Sequence, residues 1–220
     1  MAAHDLRTPL AIIQGYAQLL ANEPLISANP DTAEYLATIV VHSEALGIML
    51  ENLFTLDQLG RNDLRLVLAQ ADLTELVAQA IAQTEGLARV KSIGIELHCQ
   101  EEKLWVNADV TLIGRVLYNL LGHTIKYARP DTRLVASVDR EGNYGRMQLA
   151  DPHRALSAEQ QAHLFDPLDT NHSGIASLRG MDMGLVLARQ VAKAHGGTAD
   201  ATCQPERGVT LCLRLPLVES

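Results

Sequence analysis

The chain has 220 residues, of which 47% are hydrophobic and 20% are charged, and this is enough for one large domain or two small ones, each with its own core. The formal net charge of −8 argues against nucleic acid and against anionic membrane surfaces as partners. No apolar run approaches the roughly 20 residues of a membrane-spanning helix, so we expect no membrane span in this segment, and no signal peptide.

Two long helices are predicted at the N-terminal end, the first over residues 3–22 and the second over 30–59. The break between them contains Pro24, and Asn29 is a capping residue that precedes Pro30 at the first helical position. In both helices apolar residues recur at alternating intervals of four and three, which is the pattern of a coiled-coil seam. The two stripes are Leu6, Leu10, Ile13, Ala17 and Leu20, then Leu36, Ile39, Ser43, Leu46, Leu50 and Leu53.

A hairpin with one apolar stripe on each helix cannot bury both stripes by itself. Two copies side by side form a four-helix bundle, so we predict a homodimer through residues 3–59. A hairpin docked on its own C-terminal domain is the alternative. The segment Gly60 to Asp63 is the predicted boundary, which gives domains of residues 1–62 and 63–220.

Strands and helices are mixed after this boundary, and Gly142-Asn143 is a hairpin signal. We therefore predict an α+β fold, in which an N-terminal helical hairpin is followed by a sandwich of helices on a sheet. The predicted strands are 64–69, 93–98, 104–107, 133–138, 146–150, 197–203 and 208–215, and the predicted helices are 72–89, 109–127 and 183–194.

The first predicted helix begins with the string His4-Asp5-Leu6-Arg7-Thr8-Pro9-Leu10. A neutral imidazole nitrogen is a competent nucleophile toward phosphorus, and its ordinary pKa leaves it largely unprotonated near pH 7. Thr8 lies one helical turn from His4 on the same face, where it can hold a water that hydrolyses phosphohistidine. Asp5 points elsewhere by helical geometry. A surface histidine beside an aspartate is the alternative interpretation.

This string resembles the phosphoacceptor box of the dimerising histidine kinases of bacterial two-component signalling, which commonly reads H-[ED]-L-R-T-P-L. The resemblance implies that His4 accepts a phosphoryl group, that Asp5 is a base hydrogen-bonded to the imidazole, and that a response regulator receiver domain is a partner. A helix with this box is normally under way before the histidine, so we expect a fragment whose upstream sensor is missing.

Residues 64–217 resemble the ATP-binding domain of histidine kinases, a sandwich shared with the Hsp90, gyrase and MutL ATPases. The resemblance implies ATP and Mg²⁺ as cofactors. The matching segments, in the family's order, are an N box at 115–127, the start of D-x-G-x-G at 149–151, an F box at 164–168, G-x-G-x-G-L at 180–185 and H-G-G at 195–197.

Individual roles follow from the same resemblance. Asp151 matches the carboxylate that reads the adenine amino group, and Tyr127 matches the residue that packs beside the nucleotide. Asn119 and Lys126 match phosphate-side residues. Gly180 and Gly184 match glycines of the phosphate-side motif. The alternative for Asn119, Lys126 and Tyr127 is the polar face of an amphipathic helix, and the alternative for Asp151 is a turn residue before Pro152.

Several departures from the family's pattern fall on the phosphate side. His123 replaces the asparagine that coordinates Mg²⁺, an ion that prefers oxygen ligands. His153 and Ala155 replace both glycines of D-x-G-x-G. Asp182 replaces the central glycine of the next motif, and a charge pair about 5 Å apart at a dielectric near 20 costs roughly 3 kcal/mol. We expect weakened phosphate binding, and a lid at 169–179 that is disordered or collapsed.

The predicted function is phosphoryl transfer between His4 and a response regulator aspartate, with autophosphorylation from ATP impaired or lost. The alternatives are a non-catalytic dimeric docking module and an active kinase with an atypical pocket. An Hsp90-type or MutL-type ATPase is excluded because no glutamate lies between Asn107 and Asp139. We expect no metal site at the remaining histidines. The three cysteines, which lack CxxC or metal spacing, are predicted to be reduced core residues of a cytoplasmic protein.

Overall fold

The computed structural model describes residues 2–23, 29–61, 63–166, 183–204 and 208–218, with the backbone alone at 2–7, 41, 44 and 45. The chain forms two compact units, Met1–Asp63 and Leu64–Ser220.

The N-terminal unit is a helical hairpin of α1 (Ala2–Ala21) and α2 (Pro30–Gly60), which pack against each other. The side chain of Asn29 caps α2 by accepting hydrogen bonds from the backbone N–H groups of Asp31 and Thr32, at 3.1 and 3.3 Å. Pro30 is the first helical residue, where its missing N–H costs nothing. Both helices therefore lie where the sequence predicts them.

Each apolar stripe is divided in two by the hairpin. Leu10, Ala17, Leu36 and Ser43 are buried between the helices, each less than 9% exposed. The alternate stripe members remain exposed to 43–51% of their surface: Ile13, Leu20, Ile39, Leu46 and Leu53. One hairpin thus buries part of each seam and leaves other apolar members of both seams exposed.

The C-terminal unit is a mixed sheet covered on one face by helices. Its sheet has the strand order β2-β4-β5-β7-β6, in which β2 pairs parallel with β4 and the other pairs are antiparallel. Strands β1 and β3 form a separate antiparallel pair. The elements are β1 (Ala69–Asp72), α3 (Leu73–Val90), β2 (Gly94–Cys99), β3 (Trp105–Ala108), α4 (Val110–Tyr127), β4 (Arg133–Glu141), β5 (Tyr144–Asp151), α5 (Ala158–His163), α6 (Met183–Ala194), β6 (Thr198–Gln204) and β7 (Gly208–Pro216).

The core lies between this sheet and the layer of α3, α4 and α6. Register places Val138, Met147, Leu213 and Ala199 in one row across four strands, and all four are buried. Because side chains alternate across a strand, the neighbouring residues point to the other face of the sheet. The predicted fold, a helical hairpin followed by helices on a mixed sheet, is confirmed.

Two predicted element boundaries are wrong. The first strand was expected over 64–69 but begins only at Ala69, because the preceding segment makes no strand ladder. Instead, the backbone N–H of Val67 donates to Oδ2 of Asp109 at 3.0 Å. No helix is predicted between residues 151 and 183, yet this stretch contains α5, which begins with a capping box between Ser157 and Gln160.

A ladder of ion pairs covers the sheet face opposite the helices. Arg146 bonds Asp139 at 2.7–2.8 Å and also contacts Glu141, and Arg214 bonds Glu141 and Asp200 at 2.5 and 2.7 Å. The hydrogen bond from Arg214 lowers the pKa of the Glu141 carboxyl.

Cys212 lies on this face of β7 and is only 2% exposed. Its burial raises the pKa of its thiol to about 12. Cys203 is partly buried, but Cys99, the last residue of edge strand β2, is exposed. The prediction of a core cysteine is therefore wrong for Cys99. All three thiols are free.

Candidate functional sites

The candidate phosphoacceptor, His4, lies in the first turn of α1. The side chains of His4 and Asp5 lie outside the described residues, whereas Thr8 is exposed. Pro9 lies inside the helix and has no backbone N–H to donate to the carbonyl of Asp5. The helix ladder is therefore interrupted one turn after His4.

The second candidate site is built on α4, which is held at both ends. At its start, Oδ1 of Asp109 accepts from the backbone N–H of Leu112 at 3.1 Å. At its end, Nζ of Lys91 donates to the carbonyls of Ile125 and Lys126, at 3.1 and 2.5 Å. A cation at a helix C-terminus also complements the helix dipole. These contacts fix the last turn, which carries the candidate residues Lys126 and Tyr127.

Asn119, His123 and Tyr127 are spaced by four and share one face of α4. Asn119 is 8% exposed and packs against α6. A Cβ atom on Gly184 would lie 2.9 Å from Cγ of Asn119, so only glycine allows this approach of the two helices. Among the described residues, Nδ2 of Asn119 has no hydrogen-bond partner although it is buried. A buried amide without a partner is costly and suits a site that receives a ligand.

Asp151 ends β5 and is 1% exposed. Its Oδ1 accepts from the backbone N–H of His153 at 3.0 Å, which closes the turn that leads to Arg154. The backbone of Gly208 approaches this turn closely, since a Cβ there would lie 2.0 Å from the carbonyl oxygen of Asp151. Gly208 also has a positive φ of 69°, so both the close approach and the backbone conformation require glycine at this position.

The turn after Asp151 brings Arg154 onto α4. Nη1 of Arg154 lies 2.9 Å from Nε2 of His123, and its Cζ lies 4.6 Å from the centre of the Tyr127 ring. The rings of His123 and Tyr127 are 4.7 Å apart. A guanidinium can only donate, so Nε2 must accept and the ring proton lies on Nδ1. The lone pair that a metal would use on Nε2 is thereby engaged.

Lys126 adds a second cation to this group, with its Nζ 5.1 Å from the centre of the same tyrosine ring. We call His123, Lys126, Tyr127 and Arg154 the cationic cluster. Arg154 was not among the residues predicted from the sequence. Only the two missing glycines on either side of it, at positions 153 and 155, were identified as departures. An arginine between those positions, in the motif that begins with the predicted adenine-reading carboxylate Asp151, was the available signal.

The remaining predicted features are the phosphate-side motif, the lid and the other histidines. Gly180 and Asp182 of the phosphate-side motif, and the predicted lid at 169–179, lie outside the described residues. Within the described ranges, no group of three or more His, Cys, Asp or Glu side chains is placed to hold a metal ion. His42, His98 and His163 are exposed, and His172 lies outside the described residues.

His195 of the H-G-G segment has a structural role. It is 8% exposed, its Nδ1 donates to the carbonyl of Val191 at 2.8 Å, and its Nε2 accepts from the backbone N–H of Asp109 at 3.0 Å. This imidazole joins the end of α6 to the residue that caps α4. A backbone N–H that would otherwise be buried without a partner is satisfied in this way.

Comparisons with known proteins match both parts of the chain. Residues 108–219 match the histidine kinase-, DNA gyrase B- and HSP90-like ATPase family, and residues 1–62 match the His Kinase A (phospho-acceptor) domain. The chain belongs to the histidine kinase family. It is the core of a two-component sensor histidine kinase.

This histidine kinase core is 27% identical over 217 residues to the sensor protein VanSC of Enterococcus gallinarum, with 97% of the chain matched. Its fold is similar to that of full-length ShkA in complex with AMPPNP, with a TM-score of 0.77 at 20% identity over the whole chain. It is also similar to histidine kinase ThkA in complex with response regulator TrrA, with a TM-score of 0.64 at 20% identity over 99% of the chain.

The histidine kinase core spans only part of these relatives. It covers 58% of the VanSC sequence, 45% of the ShkA chain and 60% of the ThkA complex chain. In the described part of the core, no helix combines the length and apolar character needed to cross a membrane.

Proposed function

We propose that this histidine kinase core exchanges phosphoryl groups between His4 and the aspartate of a response regulator, and that its autophosphorylation from ATP is impaired or lost. Residues 1–62 are the dimerisation and phosphoacceptor domain, with His4 as nucleophile, Asp5 as its hydrogen-bonding base and Thr8 as the residue that positions water. Residues 63–220 are an ATP-binding-like domain. The whole assembly acts in the cytoplasm.

The contact between His123 and Arg154 carries this proposal. His123 stands where the family has a magnesium-coordinating asparagine, and its Nε2 lies 2.9 Å from a guanidinium nitrogen of Arg154. Mg²⁺ takes oxygen ligands in a strict octahedron, so an imidazole is a poor replacement. A fixed positive charge beside it repels a divalent cation as well. The residues present therefore do not fit a bound magnesium ion.

The adenine half of the pocket fits better. Asp151, which matches the carboxylate that reads the adenine amino group, is buried at the end of β5. Tyr127, which matches the residue beside the nucleotide, is 39% exposed and can contact a ligand. Asn119 keeps the type and place of the phosphate-side asparagine. When bound, ATP supplies the transferable γ-phosphoryl group. In the family this transfer also requires a metal ion, which the cationic cluster does not fit.

The exposed half of each apolar stripe supports a homodimer through residues 3–59. Ile13, Leu20, Ile39, Leu46 and Leu53 are each at least 43% exposed on one hairpin. Large apolar side chains exposed along both helices at the positions of a coiled-coil seam are typical of an interface. A second copy that presents the same face completes a four-helix bundle, as in an isologous dimer.

The transfer half of the proposal is tested with labelled regulators. Receiver domains of the source organism are phosphorylated with labelled acetyl phosphate and incubated with the chain or with its His4→Ala variant. We expect acid-labile label on the wild-type chain with at least one receiver domain, and none on His4→Ala. If no receiver domain of the full set transfers label to the chain, His4 is not a phosphotransfer residue, and the docking-module alternative replaces this proposal.

A further inference from the structure

The cationic cluster places positive charge where the family places a metal ion. Arg154 contacts His123 at 2.9 Å and lies 4.6 Å from the centre of the Tyr127 ring, where Lys126 also lies 5.1 Å away. A metal ion in such a pocket neutralises the oxygens of a polyphosphate. A guanidinium performs the same neutralisation and adds directional N–H donors.

We propose, on the basis of the function proposed above for the same pocket, that the cationic cluster binds a nucleotide polyphosphate without a divalent cation. Arg154 takes the electrostatic place of the metal, with Lys126 as a second cation. The ligand class is an adenine nucleotide carrying two or more phosphates in its metal-free form.

The surroundings of Arg154 hold its guanidinium in position for this role. Its donor to His123 orients the planar group, and its position over Tyr127 is a cation–π contact. Arg154 is also tied to Asp151, since its backbone N–H lies 3.4 Å from the Asp151 carbonyl oxygen. The cation and the predicted base-reading carboxylate therefore belong to one turn.

Asn119 supplies an independent observation. It lies one helical turn before His123 on the same face of α4, is 8% exposed, and keeps a buried Nδ2 without a partner among the described residues. Nδ2 is a donor, which suits a phosphate oxygen and cannot ligate a metal ion. The unsatisfied donor and the adjacent guanidinium thus both favour an anion over a cation.

Metal-free binding predicts the direction in which Mg²⁺ changes the nucleotide affinity, and this direction can be measured. In a metal-dependent site, chelating Mg²⁺ weakens nucleotide binding. Here Mg²⁺ competes with Arg154 and Lys126 for the same phosphate oxygens. It also reduces the negative charge of the polyphosphate, which attracts these two side chains. Mg²⁺ therefore weakens nucleotide binding. Raising the salt concentration should weaken binding too, because part of the attraction is screened.

The test is isothermal titration calorimetry of the chain with ATP, in EDTA and in excess Mg²⁺. We expect binding in EDTA that becomes several-fold weaker in Mg²⁺. Arg154→Ala should weaken binding in EDTA by tenfold or more, and Arg154→Lys should weaken it less because it retains the charge. Arg140→Ala removes an exposed arginine from β4 and should leave the affinity unchanged. Thermal unfolding by circular dichroism checks that each variant is folded.

Binding that requires Mg²⁺, binding unaffected by Arg154→Ala in a folded variant, or no binding in EDTA would each overturn the inference. These outcomes differ from failure of the proposed function, which would be seen as ATP-derived label on His4. Absence of any nucleotide binding would leave phosphotransfer between His4 and a regulator unaffected.

Discussion

Nη1 of Arg154 lies 2.9 Å from Nε2 of His123, across 31 positions of sequence. This contact engages the Nε2 lone pair of His123, which matches the family's magnesium-coordinating asparagine in the sequence. It connects two departures from the family's pattern that look independent in the sequence, the missing asparagine and the altered D-x-G-x-G segment. His123, in place of the asparagine, supplies the acceptor, and Arg154, between the positions of the two missing glycines, supplies the donor.

The close approach of Gly184 to Asn119 predicts a strong effect of a single methyl group. In Gly184→Ala the new Cβ would lie 2.9 Å from Cγ of Asn119, so α4 and α6 must separate or Asn119 must move. We expect a loss of about 1–3 kcal/mol in the free energy of unfolding, measured by urea denaturation.

The matched control is Gly86→Ala in the interior of α3, where nothing lies within 4 Å of the new Cβ. This change should stabilise the protein by about 0.5–1 kcal/mol, because alanine is the better helix former. Equal effects of the two substitutions would show that the packing of Gly184 on Asn119 is not tight.

His195 should be important for stability and not for chemistry. His195→Ala removes the acceptor for the buried N–H of Asp109 and the donor to the Val191 carbonyl. We expect the free energy of unfolding to fall by about 2–3 kcal/mol, because a buried donor loses its partner. His98→Ala changes an exposed histidine and should alter stability by no more than about 0.5 kcal/mol. A stable His195→Ala variant would contradict a linking role for this imidazole.

The cysteines should differ in reactivity. Alkylation with iodoacetamide at pH 8 is expected to modify Cys99 first, since it is exposed, and to spare Cys212 in the folded protein. Burial raises the pKa of the Cys212 thiol to about 12, so the reactive thiolate is essentially absent at this pH. Peptide mass spectrometry measures the label at each site. If Cys212 is modified as fast as Cys99, the face of β7 on which Cys212 lies is accessible to the reagent, and the prediction is wrong.

The same shift of pKa has a consequence for stability at high pH. The raised pKa of the folded Cys212 thiol favours the neutral form, and this contribution is complete below the ordinary value of 9.0 and is lost as pH rises toward about 12. Between these values the unfolded chain ionises and the folded thiol does not. The difference in unfolding free energy between the wild type and Cys212→Ala should therefore shrink from pH 9 to 11 in urea titrations. A difference in unfolding free energy that stays constant from pH 9 to 11 would contradict this prediction.

The exposed apolar face of the hairpin predicts a dissociable dimer. Ile39→Glu combined with Leu46→Glu places two carboxylates on this face, where both residues are about half exposed in one hairpin. We expect the dimer to become a monomer in light scattering coupled to size exclusion. Thr38→Glu combined with Gln58→Glu adds the same charge at exposed polar positions and should leave the dimer intact. A monomeric wild type would contradict the dimer directly.

Much of the fold was accessible from sequence because the helix signals are local. Asn29, Asp72 and Asp109 each cap a helix that begins at the next residue, and each is recognisable from its type and position. The strand expected over 64–69 failed for the opposite reason. Leucines at alternate positions imitate a strand, whereas the backbone there is held by a hydrogen bond to Asp109, far away in the chain.

Only part of the candidate nucleotide site could be predicted from the sequence. Asn119, His123, Lys126 and Tyr127 lie on one helix, and the resemblance of this helix to the family's N box assigned them to the site. Arg154 was missed because its contact depends on a turn after β5 and on the packing of that turn against α4. Gly208 was missed because its importance comes from a backbone approach to Asp151 across two strands. Neither relationship leaves a periodic signal in the sequence.

Incubation of the chain with γ-labelled ATP and Mg²⁺, beside its His4→Ala variant, tests the proposed function most directly. We expect no acid-labile label on the wild type above the level of the variant, because the proposed pocket does not fit the metal that the transfer requires in the family. Strong acid-labile label on the wild type that disappears in His4→Ala would contradict it, since the pocket would then deliver the γ-phosphoryl group to His4 despite the contact between His123 and Arg154.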